Sequence, residues 1–236
     1  MIIDTDKKQK TKVIVLKPHI DNLEIQELVE KKKTDFFRHL LRKPDKSEVH
    51  VHSLTLIYEP LMILSGAYNA DFLRKSIHEV KVDHNVKEVI FADGVFPASN
   101  YTTSNKIGSK LRKNSVPLEL EEHVFVEEEK EITLDHHGET RNFTYKVDAK
   151  DVENYPKRTL KNNAVKEFEI TEEGAIKKLV SSLQTHETLE NVRDLNESLV
   201  INEITTIYVP IYEARLVGPK KKVEILRFDA IKKKLL

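Results

Sequence analysis

The fold is decided by Leu54-Thr55-Leu56-Ile57-Tyr58-Glu59-Pro60-Leu61, because the chain states it twice. It returns as Ile204-Thr205-Thr206-Ile207-Tyr208-Val209-Pro210-Ile211, and the shared Ile-Tyr-x-Pro-aliphatic string lies at a constant offset of 150. Both copies have the β-branched and aromatic content of a strand. A Pro inside such a run donates no ladder hydrogen bond, so an edge, a bulge or a kink is expected at Pro60 and Pro210. Tyr58 and Tyr208 share a sheet face with the Pro two residues on. The plain reading is that each Tyr packs across its Pro; the sharper one is a groove lined by both.

Upstream of each copy lies a helix start. Asp21 can cap a helix, with Glu24 placed for a capping box. Thr171 is a second cap, with Glu172 and Glu173 in the first turn, where the helix dipole favours acids. Each cap precedes its Tyr by 37 residues. Leu23, Leu28 and Val29 give the first helix part of an apolar stripe, and Phe36, Phe37, Leu40 and Leu41 lie on one face of its continuation or of a second helix. Ile176, Leu179, Val180 and Leu183 form a clean stripe on the other.

Between and after these units the chain reads as strands. Val13–Leu16 is a short one. Segments 49–61, 64–72, 77–82 and 86–91 suggest an antiparallel meander, with Asp93-Gly94 as a tight turn. Segments 118–126 and 131–134 suggest a hairpin with Glu127-Glu128-Glu129 at its tip, and 140–147 a third strand after a turn at Asp135–Glu139. Residues 151–166 show no clear pattern, and 189–195 suggest a short helix. Gly218-Pro219 turns the chain into a return strand, Val223–Ala230. The expected fold is α+β: two helix-plus-antiparallel-sheet halves, an internal repeat, with an inserted β-hairpin segment. The expected boundaries are 1–97 for the first half, 98–117 for a linker, 118–150 for the insert and 151–236 for the second half.

The chain has 236 residues, enough to bury a core, and 39% hydrophobic content against 33% charged reads as globular. No apolar run reaches the length of a membrane helix, and Met1–Lys12 lacks the apolar centre of a signal peptide, so a cytoplasmic location is expected. There is no cysteine, which excludes disulfides, zinc–thiolate sites and thiol catalysis. The net charge is zero, yet charge is segregated: seven glutamates fall between Glu119 and Glu131, while the stretch from Arg215 to the end holds eight cations against two acids.

These cations carry the clearest functional hint. Lys31, Lys32, Lys33, Arg38, Arg42 and Lys43 surround Phe36 and Phe37, and Lys220, Lys221 and Lys222 follow the Gly218-Pro219 turn; Lys232–Lys234 add to them. If they converge they form a polyanion-binding patch; otherwise they solvate loops and ends. His50 and His52 share a strand face at a spacing metal sites use, with His78, His84 or Asp83 as further candidate ligands. Asp135-His136-His137 resembles the signature triplet of DHH-type phosphoesterases, but the further aspartate motifs of that family are missing and Gly138 marks a turn. No glycine-rich phosphate loop or nucleophile elbow occurs. A non-enzymatic interaction or assembly module is therefore expected, binding a protein partner or itself and needing no cofactor. Nucleic-acid binding, to RNA, the ribosome or DNA, is the alternative, and a metal-dependent hydrolase the remote one.

Overall fold

Three very long strands carry the structure, a computed structural model that describes residues 2–4, 10–38, 43–101, 113–183 and 192–236. In chain order the elements begin with β1 (Ile2–Asp4), β2 (Lys10–Val15), α1 (Asn22–Lys32), β3 (His50–Val82), β4 (Glu88–Phe91), β5 (Gly94–Pro97) and β6 (Ser99–Tyr101). They continue with β7 (Lys113–Leu134), α2 (Pro156–Asn162), β8 (Ala164–Val165), α3 (Glu172–Leu183), β9 (Val192–Val217), β10 (Val223–Asp229) and β11 (Lys234–Leu235). One sheet runs β11-β10-β9-β3-β7-β6, with β1 and β2 also paired to β9 and β8 to β3, while β4 and β5 form a separate two-stranded sheet. The expected α+β class holds, weighted towards strand.

β3 is a single strand of 33 residues, not a meander. Its even-numbered positions from Tyr58 to Phe72 are buried without a break, and its odd positions are half-buried. An uninterrupted period of two needs no turn. Gly66, the isolated glycine in this run, serves close approach instead: a Cβ there would lie 2.9 Å from the Val200 carbonyl oxygen and 3.1 Å from Leu179. β7 is likewise one strand of 22 residues, so Glu127-Glu128-Glu129 lies within it and not at a hairpin tip. Segment 140–147 is irregular apart from a bridge between Leu134 and Thr140. Positions 192–195 belong to β9 and are not helical; 189–191 lie outside the described residues. The expected turn at Asp135–Glu139 forms, closed by the Gly138 N–H to the Asp135 carbonyl at 2.8 Å; the turn expected at Asp93-Gly94 lies one residue earlier, at Ala92 and Asp93, which take positive φ, and Gly94 already belongs to β5.

The chain divides into two compact units. The smaller comprises 1–3, 68–128 and 185–199; the larger comprises 4–67, 129–184 and 200–236. In the larger unit α1 is capped as its sequence demands, with the Asp21 carboxylate accepting from the N–H groups of Leu23 and Glu24 at 2.9 and 2.8 Å. Ile25 and Val29 are buried among Tyr212, Ala214 and Leu216 of β9 and Leu226 and Phe228 of β10. After Lys32 the helix tightens into a 3₁₀ turn, Lys33–Phe37; Leu40 and Leu41 of the expected continuation lie outside the described residues.

Each of the two Tyr-x-Pro strands has a short parallel partner. β2 runs parallel to β9 and ends with Ile14 opposite Ile207 and Val15 opposite Tyr208. β8 runs parallel to β3 and pairs Ala164 with Ile57 and Val165 with Tyr58. Every residue of the second set stands 150 positions from its counterpart in the first. The Leu16 N–H donates to the Tyr208 carbonyl at 3.0 Å, and the Lys166 N–H to the Tyr58 carbonyl at 2.9 Å, again 150 apart. Buried positions agree too: Ile25, Val29 and Lys33 correspond to Ala175, Leu179 and Leu183. The return strands match at another offset. Asp135 directly follows β7 and Asp229 ends β10, and each accepts the N–H two residues on, at 3.0 Å from His137 and 2.9 Å from Ile231. The carbonyl after each aspartate accepts from Glu169 and His19 respectively, both at 2.8 Å.

Pro210 does not stand at a sheet edge, one of the three expected places, because β9 lies between β10 and β3. It sits in an interior strand, at a seam. The β2 ladder stops at Tyr208, and the β10 ladder starts with Ile211 opposite Asp229. At the seam the Leu16 and Ala230 N–H groups donate to the carbonyls of Tyr208 and Pro210. Pro210 itself has no N–H to donate at the seam. Pro60 stands two residues past Tyr58, where the β8 ladder ends.

Candidate functional site

The only acid on its strand face between Ile57 and Ile63 is Glu59, and the larger unit builds a charged hub around it. Lys166, directly after β8, donates to Glu59 at 2.6 Å, and the Arg227 guanidinium of β10 donates to the same oxygen. Glu213 of β9 stands 3.9 Å from Arg227 Nε, which has no hydrogen-bond partner. Burial pushes the Glu59 carboxyl up, but the Lys166 and Arg227 cations outweigh it and hold the group below its usual range. Alongside, the Tyr145 hydroxyl donates to Asp229 at 2.8 Å, and burial followed by that carboxylate raises its pKa. Position 209, the counterpart of Glu59, is the buried aliphatic Val209. The hub's ions are thus matched to one another.

The turn at Asp135 gathers more titratable groups. His136 and His137 stack with ring centroids 3.9 Å apart, and His137 Nδ1 lies 2.8 Å from Glu169. Burial lowers the His136 pKa, whereas the Glu169 carboxylate raises that of His137. Asp135 is committed to the turn itself, accepting from two backbone N–H groups and from Arg141 at 3.0 Å. Among the described residues no three His, Asp or Glu side chains are grouped to hold a metal ion. His50 and His52 are both exposed on β3, while His78 pairs with Glu122 at 2.5 Å and His84 with Asp83 at 3.2 Å.

The basic segments meet in part. The Phe37 ring packs on Gly218, where a Cβ would fall 2.3 Å from it, so the 3₁₀ turn after α1 touches the turn that carries Lys220–Lys222. Several of these cations are neutralised locally. Lys33 is buried and pairs with Glu30 at 2.9 Å; Lys43 pairs with Asp35 at 2.5 Å, Lys222 with Glu224 at 2.6 Å, and Lys31 with Glu27 at 4.0 Å. Lys32, Arg38, Lys220 and Lys221 form no ion pair among the described residues, and Arg42 lies outside them. Lys233 turns instead to Glu24 at 3.0 Å, and Lys232 lies over the Tyr145 ring at 4.2 Å, beside an open cleft of about 300 Å³ that His19 and Asp151 also line.

The smaller unit has a different surface. Its charges pair across strands: Arg74 and His78 of β3 with Glu122 of β7, Asp71 with His123, and Lys75 with Glu119. Arg193 of β9 binds Glu121 at 2.6 Å. The first part of the glutamate run is therefore the counter-charge of its neighbours. Apolar side chains, by contrast, are left in water. Ile90 and Val95 are cross-strand partners in the β4–β5 hairpin, and both are exposed, at 72% and 59%, beside Phe91 at 52%. Phe125 of β7 is 65% exposed. Sequence reading missed this surface, although the run Val89-Ile90-Phe91 followed by Asp93-Gly94 and Val95-Phe96 announces a hairpin apolar on both faces.

Tyr58 is buried at 1% exposure and burial pushes its hydroxyl up to about 12; Tyr208 is half-buried, so the two do not present equivalent surfaces. The helices are short and mixed in polarity, and none among the described residues is long and apolar enough to cross a membrane. The chain matches no protein-family model, no curated protein and no solved structure.

Proposed function

We propose that the chain consists of two related halves, and that it works as a non-enzymatic interaction module whose protein-docking surface lies on the segment inserted into the first half. Support for the halves comes from strand pairs, carbonyl acceptors, helix caps and buried helix positions that all recur 150 residues apart. The helix of each half packs on the strand of the other: Val29 on the β9 side, Leu179 against Gly66 of β3. The return strands stand only 94 positions apart, from Asp135 to Asp229, so the first half holds 56 residues that the second lacks (150 less 94). That surplus falls after Ala67, the last larger-unit residue before the smaller unit and the counterpart of Val217, where the second half makes its turn.

The observation that carries the docking reading is the exposed apolar face of the β4–β5 hairpin. A two-stranded hairpin outside a larger sheet is marginal in water, and Ile90, Phe91 and Val95 add an apolar face that solvation does not favour. A protein partner, or a second copy, would remove that face from water. The test compares the wild type with Ile90→Ser/Phe91→Ser/Val95→Thr by sedimentation velocity and by pull-down against lysate of the source. The expected result is an assembly or a captured partner that the triple variant loses at least tenfold. A strictly monomeric wild type that captures nothing, or capture unchanged by the substitutions, would sink the reading.

A further inference from the structure

The turn Gly218–Lys222 is built in a way stability does not explain. Lys220 and Lys221 both take left-handed backbone conformations, at φ 58° and 61°, where glycine or asparagine fits without strain. Both side chains are exposed and neither is in an ion pair among the described residues. The turn is anchored beneath them: Phe37 lies on Gly218, and the Lys222 carbonyl accepts the Gly218 N–H at 2.8 Å. Phe37 also fixes the end of the 3₁₀ turn that follows Lys32 and precedes Arg38, two further exposed cations without an ion pair among the described residues. Four such cations from distant parts of the chain thus lie on or directly beside two turns that touch through Phe37 and Gly218. Nearby exposed aliphatics do not share this surface: Val223 and Ile225 lie on the β10 face opposite Leu226 and Phe228, which pack with Phe37.

We propose that Lys32, Arg38, Lys220 and Lys221 form a binding site for the phosphate backbone of nucleic acid. Cations on and beside adjoining turns suit repeated contacts to phosphates spaced along a strand. Among the described residues no exposed aliphatic shares their face, and insertion of that kind is what anionic membranes reward. The site is separate from the apolar hairpin, so the two assignments stand or fall independently.

Fluorescence anisotropy with a labelled 20-nucleotide RNA and the matching DNA duplex tests this on the full chain. The wild type should bind at 50 mM salt, with log K falling about three to four units per unit of log salt for about four phosphate contacts. Lys220→Glu/Lys221→Glu should weaken binding at least tenfold. Lys220→Gly/Lys221→Gly should weaken it comparably while melting no lower than the wild type, because glycine accepts the left-handed backbone. Ile90→Ser/Phe91→Ser/Val95→Thr should leave it unchanged. No anisotropy change at 50 mM salt would overturn the assignment, and so would undiminished binding by either lysine variant. Binding to phosphatidylserine vesicles without binding to either nucleic acid would assign the patch to membranes and also reject it.

Discussion

Glu59 decides how the β3 and β10 strands are tied together. Its carboxylate serves both Lys166 and Arg227, so removing its charge leaves two cations facing each other in a half-buried place. Glu59→Gln should cost about 1–3 kcal/mol at neutral pH, read from urea unfolding. The sign of the pH dependence follows from the lowered pKa. The contribution is full above the ordinary carboxylate value of 4.5 and is lost as the pH falls through the lower folded value. The gap between wild type and variant should therefore narrow on acidification below pH 4.5. A gap that stays constant or widens would show that the ions are not what Glu59 supplies. At the opposite pole stand Lys220 and Lys221. Relieving two left-handed lysines with glycine should stabilise the protein by up to about 1 kcal/mol per site, measured by the same titration. Neither prediction could be drawn from composition, since the sequence shows the lysines but not their φ angles.

At the level of elements, the sequence announced what depends on near neighbours. Both caps are local matters, and Asp21 and Thr171 read correctly for that reason. Strand length was misjudged because it is a tertiary property. Where its apolar content fades β3 still pairs with β7, with charged contacts such as Lys75 to Glu119 across them, and a polar stretch of that kind resembles a connection when read alone. An edge at Pro210 was misjudged likewise, because a seam between two partner strands exists only once both have arrived. α3 offers the test at this scale. Leu179 is fully buried and touches Gly66, so Leu179→Ala should cost about 2–5 kcal/mol, and Gly66→Ala a comparable amount through a 2.9 Å clash with the Val200 carbonyl. If Gly66→Ala proved neutral by thermal melting, the close approach of helix and strands would be misplaced. Gly138→Ala should also destabilise, by about 1–3 kcal/mol, since φ there is +82° and Ile170 lies 2.8 Å from the added carbon.

For the whole molecule, the Ile-Tyr-x-Pro echo has grown from one shared string into matched ladders. In the proposed two-half arrangement each half lends its short strand to the other's long one, and the symmetry is then broken by an insert that carries the exposed apolar hairpin. The candidate surfaces were less legible than the architecture. The basic segments were visible in the chain, but the Phe37–Gly218 contact that joins them links residues far apart in sequence, and the local acids that neutralise Lys33, Lys43 and Lys222 emerge only from side-chain geometry. Amide hydrogen exchange tests the exchanged strands most directly, at Leu16 and Lys166, whose N–H groups donate to Tyr208 and Tyr58. Both amides should be protected, and both should lose protection together on global unfolding. Free exchange at either one, with the rest of the larger unit protected, would contradict the exchange of strands between halves.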